Sequence, residues 1–328
     1  MVRVDVLGYS PTDFVEEKDV TIGRCRELLE RFAVTWVNVV DADERTLEEL
    51  ETLFGLHPLA LGDARNQNLS PKADVYDDVV FLLVRTIVWA EDIDTSSMAL
   101  FIGKKFIITI HDQALPQLED VRIRLRKRNP LLLKSGPDFL TYAILDTVVD
   151  SYSPHLDRFA NLLDELEGDV INRPSGQGIS RLHEVRTDLV RLRNALRPQR
   201  DLFGFISRLE IPTFRKETSN YLRDVQDHMM TALDALDGDR EIIASLMDLQ
   251  ATLAANQVNE VIKVLTVLFT VTLPIAIVTS AFGMNVPYFG FGQPEGLYLS
   301  IVLMAVPTAI LVGWMYRKGW LWPRLRAG

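Results

Sequence analysis

The stretch that decides the fold is Asn259–Asn285, which reads NEVIKVLTVLFTVTLPIAIVTSAFGMN. It begins with polar residues, becomes apolar at Val261 and ends on a glycine, a methionine and an asparagine. No charged residue occurs between Val264 and Pro294. Because a helix rises about 1.5 Å per residue, about 20 apolar residues cross the hydrocarbon core of a bilayer. The stretch therefore predicts a first transmembrane helix over residues 261–282.

A second apolar segment, residues 297–316, predicts another span, in which Pro307 and Gly313 are tolerated as they are in membrane helices. A short outer loop, residues 283–296, joins the two spans and carries no lysine or arginine. Basic residues follow in the tail, residues 317–328. By the positive-inside rule this tail is cytoplasmic, and two spans then place the N-terminal part in the cytoplasm as well. We expect a multi-pass protein of the cell (inner or plasma) membrane, in contact with lipid.

Residues 1–112 are predicted to form a cytoplasmic α/β domain, with helices packed on a sheet. The predicted elements are strands at 2–8, 33–40 and 79–89, a hairpin of 98–102 and 105–110, a helix at 47–54 capped by Asp43 or Thr46, and a short helix after Pro58.

Strand signals stop after Gln113, and residues 113–216 are predicted to be helical, with helices at 115–128, 138–172 and 179–205. From Glu217 no proline occurs before Pro274, which predicts one helix over 217–282: a stalk, residues 217–260, continuous with the first span.

The composition limits the function. The chain has 328 residues and a net charge of -10, nearly all of it outside the spans, which argues against nucleic acid as a partner and suits a domain that meets cations. Cys25 is the only cysteine, so no disulfide is expected. The five histidines show no ligand spacing and are interpreted as structural. No GxxxxGK[ST] phosphate loop occurs, so we expect no ATP-driven pumping, no enzyme activity and no organic cofactor.

One face of the first span forms an apolar stripe at three- and four-residue spacing. Its members are Ile262, Leu265, Phe269, Leu273, Ala276, Ser280 and Gly283. Two spans cannot enclose a pore, so an ion pathway requires several copies in a ring. In such a ring the stripe would line a narrow channel that gates by dewetting. The alternative is that the stripe faces lipid or the second span, since any membrane helix has such stripes.

The end of the first span carries the sharpest motif. Gly283-Met284-Asn285, before a short loop and a final span, resembles the signature of the CorA family of magnesium channels, the two-span metal ion transporters with a GMN motif. The similarity extends over NEVIKVLT at 259–266, FGLHPL at 54–59 and YLRDV at 221–225. It implies a CorA-like fold over essentially the whole chain: a homopentamer with a cytoplasmic α/β domain, a long stalk helix and two transmembrane helices per subunit.

The resemblance also assigns roles along the pathway. Asn285 would form the outer selecting ring, where neutral amide oxygens hydrogen-bond a hydrated Mg²⁺ without removing its waters, with Gly283 and Met284 as its frame. Asn259 would be a polar ring at the cytoplasmic mouth, and Ile262 and Leu265 the hydrophobic gate. The remaining positions follow in order: Phe269, Leu273, Ala276 and Ser280 along the pore, and Asp248 as an acidic ring in the stalk. Without the family, the motif would be an ordinary helix terminus and Asp248 a solvated residue.

A regulatory Mg²⁺ between neighbouring subunits is the last implication. Asp224 matches a carboxylate that helps bind this ion in the family. Its partner is expected in the acidic run of Glu91, Asp92 and Asp94, where the similarity does not select one residue. A divalent ion that bridges repelling carboxylates would hold the ring closed, and loss of the ion would loosen it. Mg²⁺ is thus expected both as cargo and as regulator.

Three departures from the family bear on ion choice. Ala276 stands where family members often have threonine, Glu295 is the only charge in the outer loop, and the basic tail is short. These leave Co²⁺ or Ni²⁺ as further cargo. A proton-coupled zinc transporter on the same fold is the nearest alternative. A membrane-anchored scaffold or sensor, whose spans only tether it, is the alternative of another class.

Overall fold

A computed structural model describes residues 2–66, 69–89, 93–172, 176–208, 213–284 and 294–320. Contacts between residues divide the chain into two compact units, residues 1–247 and 248–328. The first unit holds a mixed sheet with helices on both faces. Among the described residues, the second holds the last part of a long helix and one further helix.

The sheet of the first unit has seven strands in the order β2-β1-β3-β7-β6-β5-β4. β3 and β7 are parallel, and the other neighbours are antiparallel. The strands are β1 Arg3–Tyr9, β2 Phe14–Glu17, β3 Val34–Val40, β4 Lys72–Tyr76, β5 Val79–Trp89, β6 Ile93–Ile102 and β7 Phe106–His111. The predicted strands near 2–8, 33–40 and 79–89 are confirmed, and so is the hairpin, in which Met98 pairs with His111.

Both faces of the sheet are buried, which explains the continuous apolar run of β5. Phe81 and Leu83 point into a core under α1, α2 and α3, and the alternating Val80 and Leu82 are buried on the other face. On that face α6 contacts β6 and β7, and α8 contacts β4 to β6. The helices are α1 Ile22–Arg31, α2 Glu44–Phe54, α3 Pro58–Arg65, α4 Leu118–Arg126, α5 Pro130–Leu133, α6 Pro137–Asp150, α7 Ser153–Asn172, α8 Gly176–Ile206, α9 Lys216–Phe282 and α10 Pro294–Arg317.

Helix ends follow local chemistry. Asp43 is the N-cap of α2 and its carboxylate accepts from the Thr46 N–H at 2.8 Å, so Asp43 rather than Thr46 is the cap. α2 ends at Gly55, whose φ of 66° lies in the left-handed region that favours glycine. The single helix predicted over 138–172 is wrong, because α6 and α7 are separated at Ser151-Tyr152. Tyr152 is fully buried there, and its hydroxyl donates to the Arg85 carbonyl at 2.5 Å.

The long helix predicted over 217–282 is confirmed as α9, and the second span as α10. Both are long and apolar enough to cross a membrane. α9 contains Pro274 and α10 contains Pro307, as the sequence allowed. α9 runs through the boundary between the two units, at Met247 and Asp248.

Candidate ion pathway and cation site

Every residue of the apolar stripe on the first span is exposed. Ile262 is 53% exposed, Phe269 61% and Leu273 58%, and Leu265, Ala276, Ser280 and Gly283 are also exposed. For apolar side chains this exposure is large, so the stripe has no partner among the described residues of its own chain. It is a surface for lipid or for other copies.

A different face of the same helix is shielded. Its half-buried residues are Lys263, Thr266, Val267, Thr270, Val271, Pro274, Val278 and Phe282. At 100° per residue this face lies about 150° from the stripe. The other described helix of this unit, α10, buries Gly296, Ser300 and Met315. The stripe thus lies opposite the half-buried face, and its assignment to a pore rather than to lipid or to the second span stays a prediction.

Threonine hydroxyls in the first span are bonded within the helix. Thr266 donates to the Ile262 carbonyl at 2.7 Å, Thr270 to Thr266 at 2.7 Å, and Thr279 to Ile275 at 2.7 Å. Such bonds satisfy hydroxyl donors where no water is present. Ser280, on the stripe, makes no hydroxyl hydrogen bond with the residues that the structure describes. Its hydroxyl is thus the one polar side-chain group that the described part of the stripe presents.

The C-terminal end of the first span carries the GMN motif. The Gly283 N–H donates to the Thr279 carbonyl at 2.9 Å, and the Met284 N–H approaches the Ala281 carbonyl at 3.4 Å. A Cβ at position 283 would lie 3.0 Å from the Thr279 oxygen, so a side chain there would crowd the helix end. Met284 is 59% exposed. Asn285, the predicted selecting residue, lies outside the described residues.

Two predicted polar positions lie on the inner part of α9 in the second unit. Asn259 and Asp248 are both exposed. In the described residues neither side chain makes a hydrogen bond or an ion pair, which leaves their oxygens available to solvent or to a cation. Lys263, one turn after Asn259, pairs with Glu260 at 3.5 Å.

Asp224, the predicted regulatory ligand, lies beside a group of cation ligands in the first unit. Its carboxylate is 4.0 Å from Nε2 of His228, one turn later on α9. Nδ1 of His228 is 3.3 Å from the Asp150 carboxylate on α6. Asp146, one turn before Asp150, completes a group of three residues whose ligand atoms all lie within 4.8 Å of one another. Sequence analysis missed this group and interpreted His228 as structural.

The electrostatics of this group favour a bound cation. Asp146 is buried, and its pKa is raised by burial and then by the nearby charge of Asp150. Arg124 on α4 partly offsets these effects, at 3.7 Å from the Asp146 carboxylate. A cation bound here would relieve the repulsion between the two carboxylates. A cavity of about 430 Å³, lined in part by Asp150, Asp157 and His228, opens beside the group.

The predicted partners of Asp224 are only partly described. Glu91 and Asp92 lie outside the described residues. Asp94 lies on β6, paired with Val88 of β5. The predicted contact between Asp224 and this run stays a prediction.

The comparisons with known proteins agree with this architecture. The family described as "CorA-like Mg2+ transporter protein" matches residues 33–317. The chain belongs to this family. It is 28% identical to the cobalt/magnesium transport protein CorA of Thermotoga maritima, over 97% of this chain and 92% of that protein. It is 30% identical to the putative metal ion transporter YfjQ of Bacillus subtilis, over 87% and 89% of the two chains.

A solved structure shows the same fold. The complete structure of the CorA magnesium transporter from Methanocaldococcus jannaschii matches with a TM-score of 0.84 at 22% identity, over 97% of this chain and 98% of that chain. The CorA resemblance drawn from the GMN motif and its flanking segments is therefore confirmed. So is the CorA-like fold: an α/β part, a long helix and two apolar C-terminal helices.

Proposed function

We propose that this chain carries Mg²⁺, with Co²⁺ or Ni²⁺ as further cargo, through a central pore that several copies of the first span enclose. Membership of the CorA family makes it a membrane transporter of divalent cations. The observation that supports the pore is the exposed stripe, which lies opposite the half-buried face of the first span. A homopentamer, as the family resemblance implies, would turn five stripes toward one axis.

In this arrangement a hydrated ion meets a fixed order of side chains. Asn285, framed by Gly283 and Met284, selects at the outer end, and the Ser280 hydroxyl follows. A narrow apolar section follows, formed by Leu273, Phe269, Leu265 and Ile262. It conducts ions only when water fills it. Asn259 and Asp248 receive the ion on the cytoplasmic side. Mg²⁺ keeps its waters tightly, so neutral oxygens that bind its hydration shell suit it better than a dry cage.

The regulatory ion of the proposal binds at Asp224, with Glu91, Asp92 or Asp94 of a neighbouring subunit as its partner. The group of Asp146, Asp150 and His228 next to Asp224 supports a candidate cation site within one chain as well. An imidazole with carboxylates suits Co²⁺, Ni²⁺ or Zn²⁺ better than Mg²⁺. The N-terminal part and the C-terminal tail would be cytoplasmic, with the chain in the inner or plasma membrane.

The test of the pore is ion flux into liposomes. The purified protein is reconstituted with a Mg²⁺ dye inside, and Co²⁺, Zn²⁺ and a pH gradient are parallel arms. We expect Mg²⁺ entry that needs no proton gradient and is driven by an inside-negative potential. Zinc entry that requires protons would replace the proposal by the proton-coupled alternative. Absence of all flux would favour a scaffold or sensor.

The selecting residue is tested by Asn285→Ala, which should abolish most Mg²⁺ uptake while the oligomer stays intact in size-exclusion chromatography. Asn256→Ala is the matched control, since Asn256 is an exposed amide on α9 that lies outside the stripe. Unchanged uptake by Asn285→Ala would remove Asn285 from the proposal. Equal loss in both variants would mean that the amides act on folding rather than on selection.

A further inference from the structure

The sheet of the first unit has a crevice of the kind that binds small molecules in α/β proteins. β3 and β7 are neighbouring parallel strands, so their carboxyl ends lie side by side. After β3 the chain enters α2 and α3 on one face of the sheet, and after β7 it enters α4 and α6 on the other. Where connections leave in opposite directions, a crevice opens at the carboxyl ends of the strands.

A cavity of about 150 Å³ lies at this point. Its lining residues are Arg3, Asn38, His111, Ala114, Leu115, Pro116, Leu118, Glu119 and Arg122. Some of these present guanidinium, amide and imidazole groups, and Ala114 to Leu118 present mainly apolar atoms. At about 30 Å³ per water molecule, the volume equals about five waters. The cavity is therefore too small for a nucleotide and large enough for a molecule of a few carbon atoms.

Arg122 on α4 supplies unused donors at this cavity. The residue is only 6% exposed, and its Nη2 donates to the Asp5 carboxylate at 3.0 Å. Its Nη1 is 3.9 Å from the Glu119 carboxylate, beyond hydrogen-bond distance. Its Nε is buried and has no partner among the described residues. Only one of the three guanidinium nitrogens thus has a hydrogen-bond partner within the residues that the structure describes. A buried donor without an acceptor costs free energy, so an added acceptor would be stabilising.

The carboxylates around the cavity are already engaged. Asp5 is 1% exposed and accepts from Arg122, and its carboxylate is 3.5 Å from Nε of Arg3. Glu119 accepts from Nη1 of Arg126 at 2.6 Å. The Arg3 side chain is 45% exposed and makes no shorter contact with an acceptor in the described part of the chain. The guanidinium groups of Arg3 and Arg122 thus retain N–H donors.

The imidazole of His111 adds no charge to the cavity. It is 2% exposed, and its ring nitrogens are 2.6 Å from the Gln113 carbonyl and 2.9 Å from Oδ1 of Asn38. Burial lowers the pKa of His111 to about 4, so the ring is neutral near pH 7. Because the carboxylates of Asp5 and Glu119 are already paired with arginines, the guanidinium groups of Arg3 and Arg122 supply the charged donors that remain at the cavity.

We propose that this cavity binds a small carboxylate anion with a short carbon chain. The planar fork of an arginine matches a carboxylate, which would supply the acceptors that Arg122 and Arg3 lack. The apolar wall of Ala114, Leu115 and Leu118 receives the carbon chain. The site belongs to the sheet domain alone and requires no ion in the pore, so it would respond to a metabolite independently of cation flux.

The test is a binding series on the full-length protein in detergent, by saturation-transfer NMR with EDTA present and ionic strength held constant with chloride. The probes are formate, acetate, propionate and butyrate, with inorganic phosphate as a separate arm. Each added methylene should tighten binding about threefold to fourfold until the cavity is full. Equal affinity along the series, or phosphate binding as tight as butyrate, would overturn the carboxylate assignment.

Variants locate the binding. Arg3→Gln keeps the buried pair of Arg122 and Asp5 and should weaken acetate binding about tenfold, the size of one charge-assisted hydrogen bond. Ala114→Leu fills the mouth of the cavity without a change in charge and should block butyrate. Arg45→Gln is the matched control, because Arg45 is an exposed arginine of the same unit, on α2 outside the lining of the cavity. Wild-type binding in Arg3→Gln and Ala114→Leu, or equal weakening in all three variants, would refute the site.

Discussion

The sheet of the first unit and the first span of the second contain similar apolar residues in opposite situations. Leu82 and Leu100 in the sheet are 0% exposed, whereas Leu273 and Ile277 in the span are 58% and 59% exposed. The sheet obtains its apolar contacts from α1 to α3 on one face and from α6 and α8 on the other. The span has half-buried residues on one face only. The sheet is thus buried within one chain, and the exposed apolar side chains of the span require lipid or other copies to cover them.

The largest effect is expected at a buried charge of the first unit, since the span contains no comparable group. Asp138 is 1% exposed, and it accepts from Arg215 at 3.0 Å and from Thr218 at 2.5 Å. Asp138→Ala should cost about 3–5 kcal/mol, because it removes the acceptor of four hydrogen bonds from Arg215 and Thr218 to a buried carboxylate. Guanidinium denaturation followed by far-UV circular dichroism measures the loss. A cost below about 1 kcal/mol would show that water replaces the carboxylate.

The same group predicts a pH dependence. Burial opposes ionisation of Asp138, but hydrogen bonds from Arg215 and Thr218 outweigh it and hold the pKa below its ordinary value. A carboxyl whose folded-state pKa is depressed stabilises the protein above its unfolded pKa of about 4, and this stabilisation is lost as the pH falls further. We expect the wild type to lose stability below about pH 4 by more than Asp138→Asn does. Parallel curves for the two proteins would contradict this.

A matched leucine pair tests the comparison directly. Leu82→Ala should cost about 2–5 kcal/mol, because it removes a fully buried side chain and leaves a cavity. Leu273→Ala should change the stability of the detergent-solubilised monomer by less than about 0.5 kcal/mol, since its side chain is exposed in the single chain. The difference between the two free energies of unfolding is the measurement. A large cost for Leu273→Ala that appears only in the oligomer would assign this side chain to a contact between copies.

The cation group gives a smaller effect whose sign depends on the metal. Because the pKa of Asp146 is raised, its ionised form opposes folding at neutral pH when no cation is bound. Asp146→Asn should therefore raise the Tm in EDTA and reduce the further rise that Co²⁺ or Mg²⁺ produces in the wild type. Asp157→Asn, an exposed residue of the adjacent cavity, is the control. A Tm in EDTA that falls on Asp146→Asn would mean that the contact with Arg124 outweighs the repulsion from Asp150.

The smallest effect is expected for exposed ion pairs of the first unit. Arg45 and Glu49 lie one helical turn apart on α2, with nitrogen and oxygen 2.9 Å apart, and the Arg45 side chain is 85% exposed. A double-mutant cycle should give about 0.3–0.5 kcal/mol for this pair, and less at high salt. A value above about 1 kcal/mol would show that surface charge contributes more to this unit than its buried core suggests.

The sequence predicted the elements that have a strong period or a continuous apolar run. β5, α9 and α10 are such elements. β2 and β4 were missed, because both are short edge strands with polar residues and their sequences, FVEE and KADVY, show no clear alternation. α1 was missed although Ile22, Cys25 and Leu28 recur every three residues and are buried. The break between α6 and α7 had a signal in Pro154, which favours the first turn of a new helix.

The candidate sites divide in the same way. The GMN motif and the stripe are continuous in sequence, so a local pattern reveals them. The group of Asp146, Asp150 and His228 joins α6 to α9 across many intervening residues, and only the fold brings these side chains together. A hint existed, since Asp146 and Asp150, like Asp224 and His228, are four residues apart and share a helix face. The crevice at β3 and β7 depends on which face of the sheet each connection crosses. A local sequence pattern does not reveal this.

The threonines of the first span have a mechanical consequence. Each of Thr266, Thr270 and Thr279 bonds to a carbonyl of its own helix, so none of these hydroxyls ties the helix to a neighbour. Rotation of the span about its long axis would therefore break no threonine hydrogen bond and would exchange one set of van der Waals contacts for another. A helix of this kind can rotate about its long axis in the bilayer without breaking a threonine hydrogen bond. Resistance to its rotation would come from the packing of side chains rather than from hydrogen bonds, and lipid thickness and packing would then affect how readily the proposed pore opens.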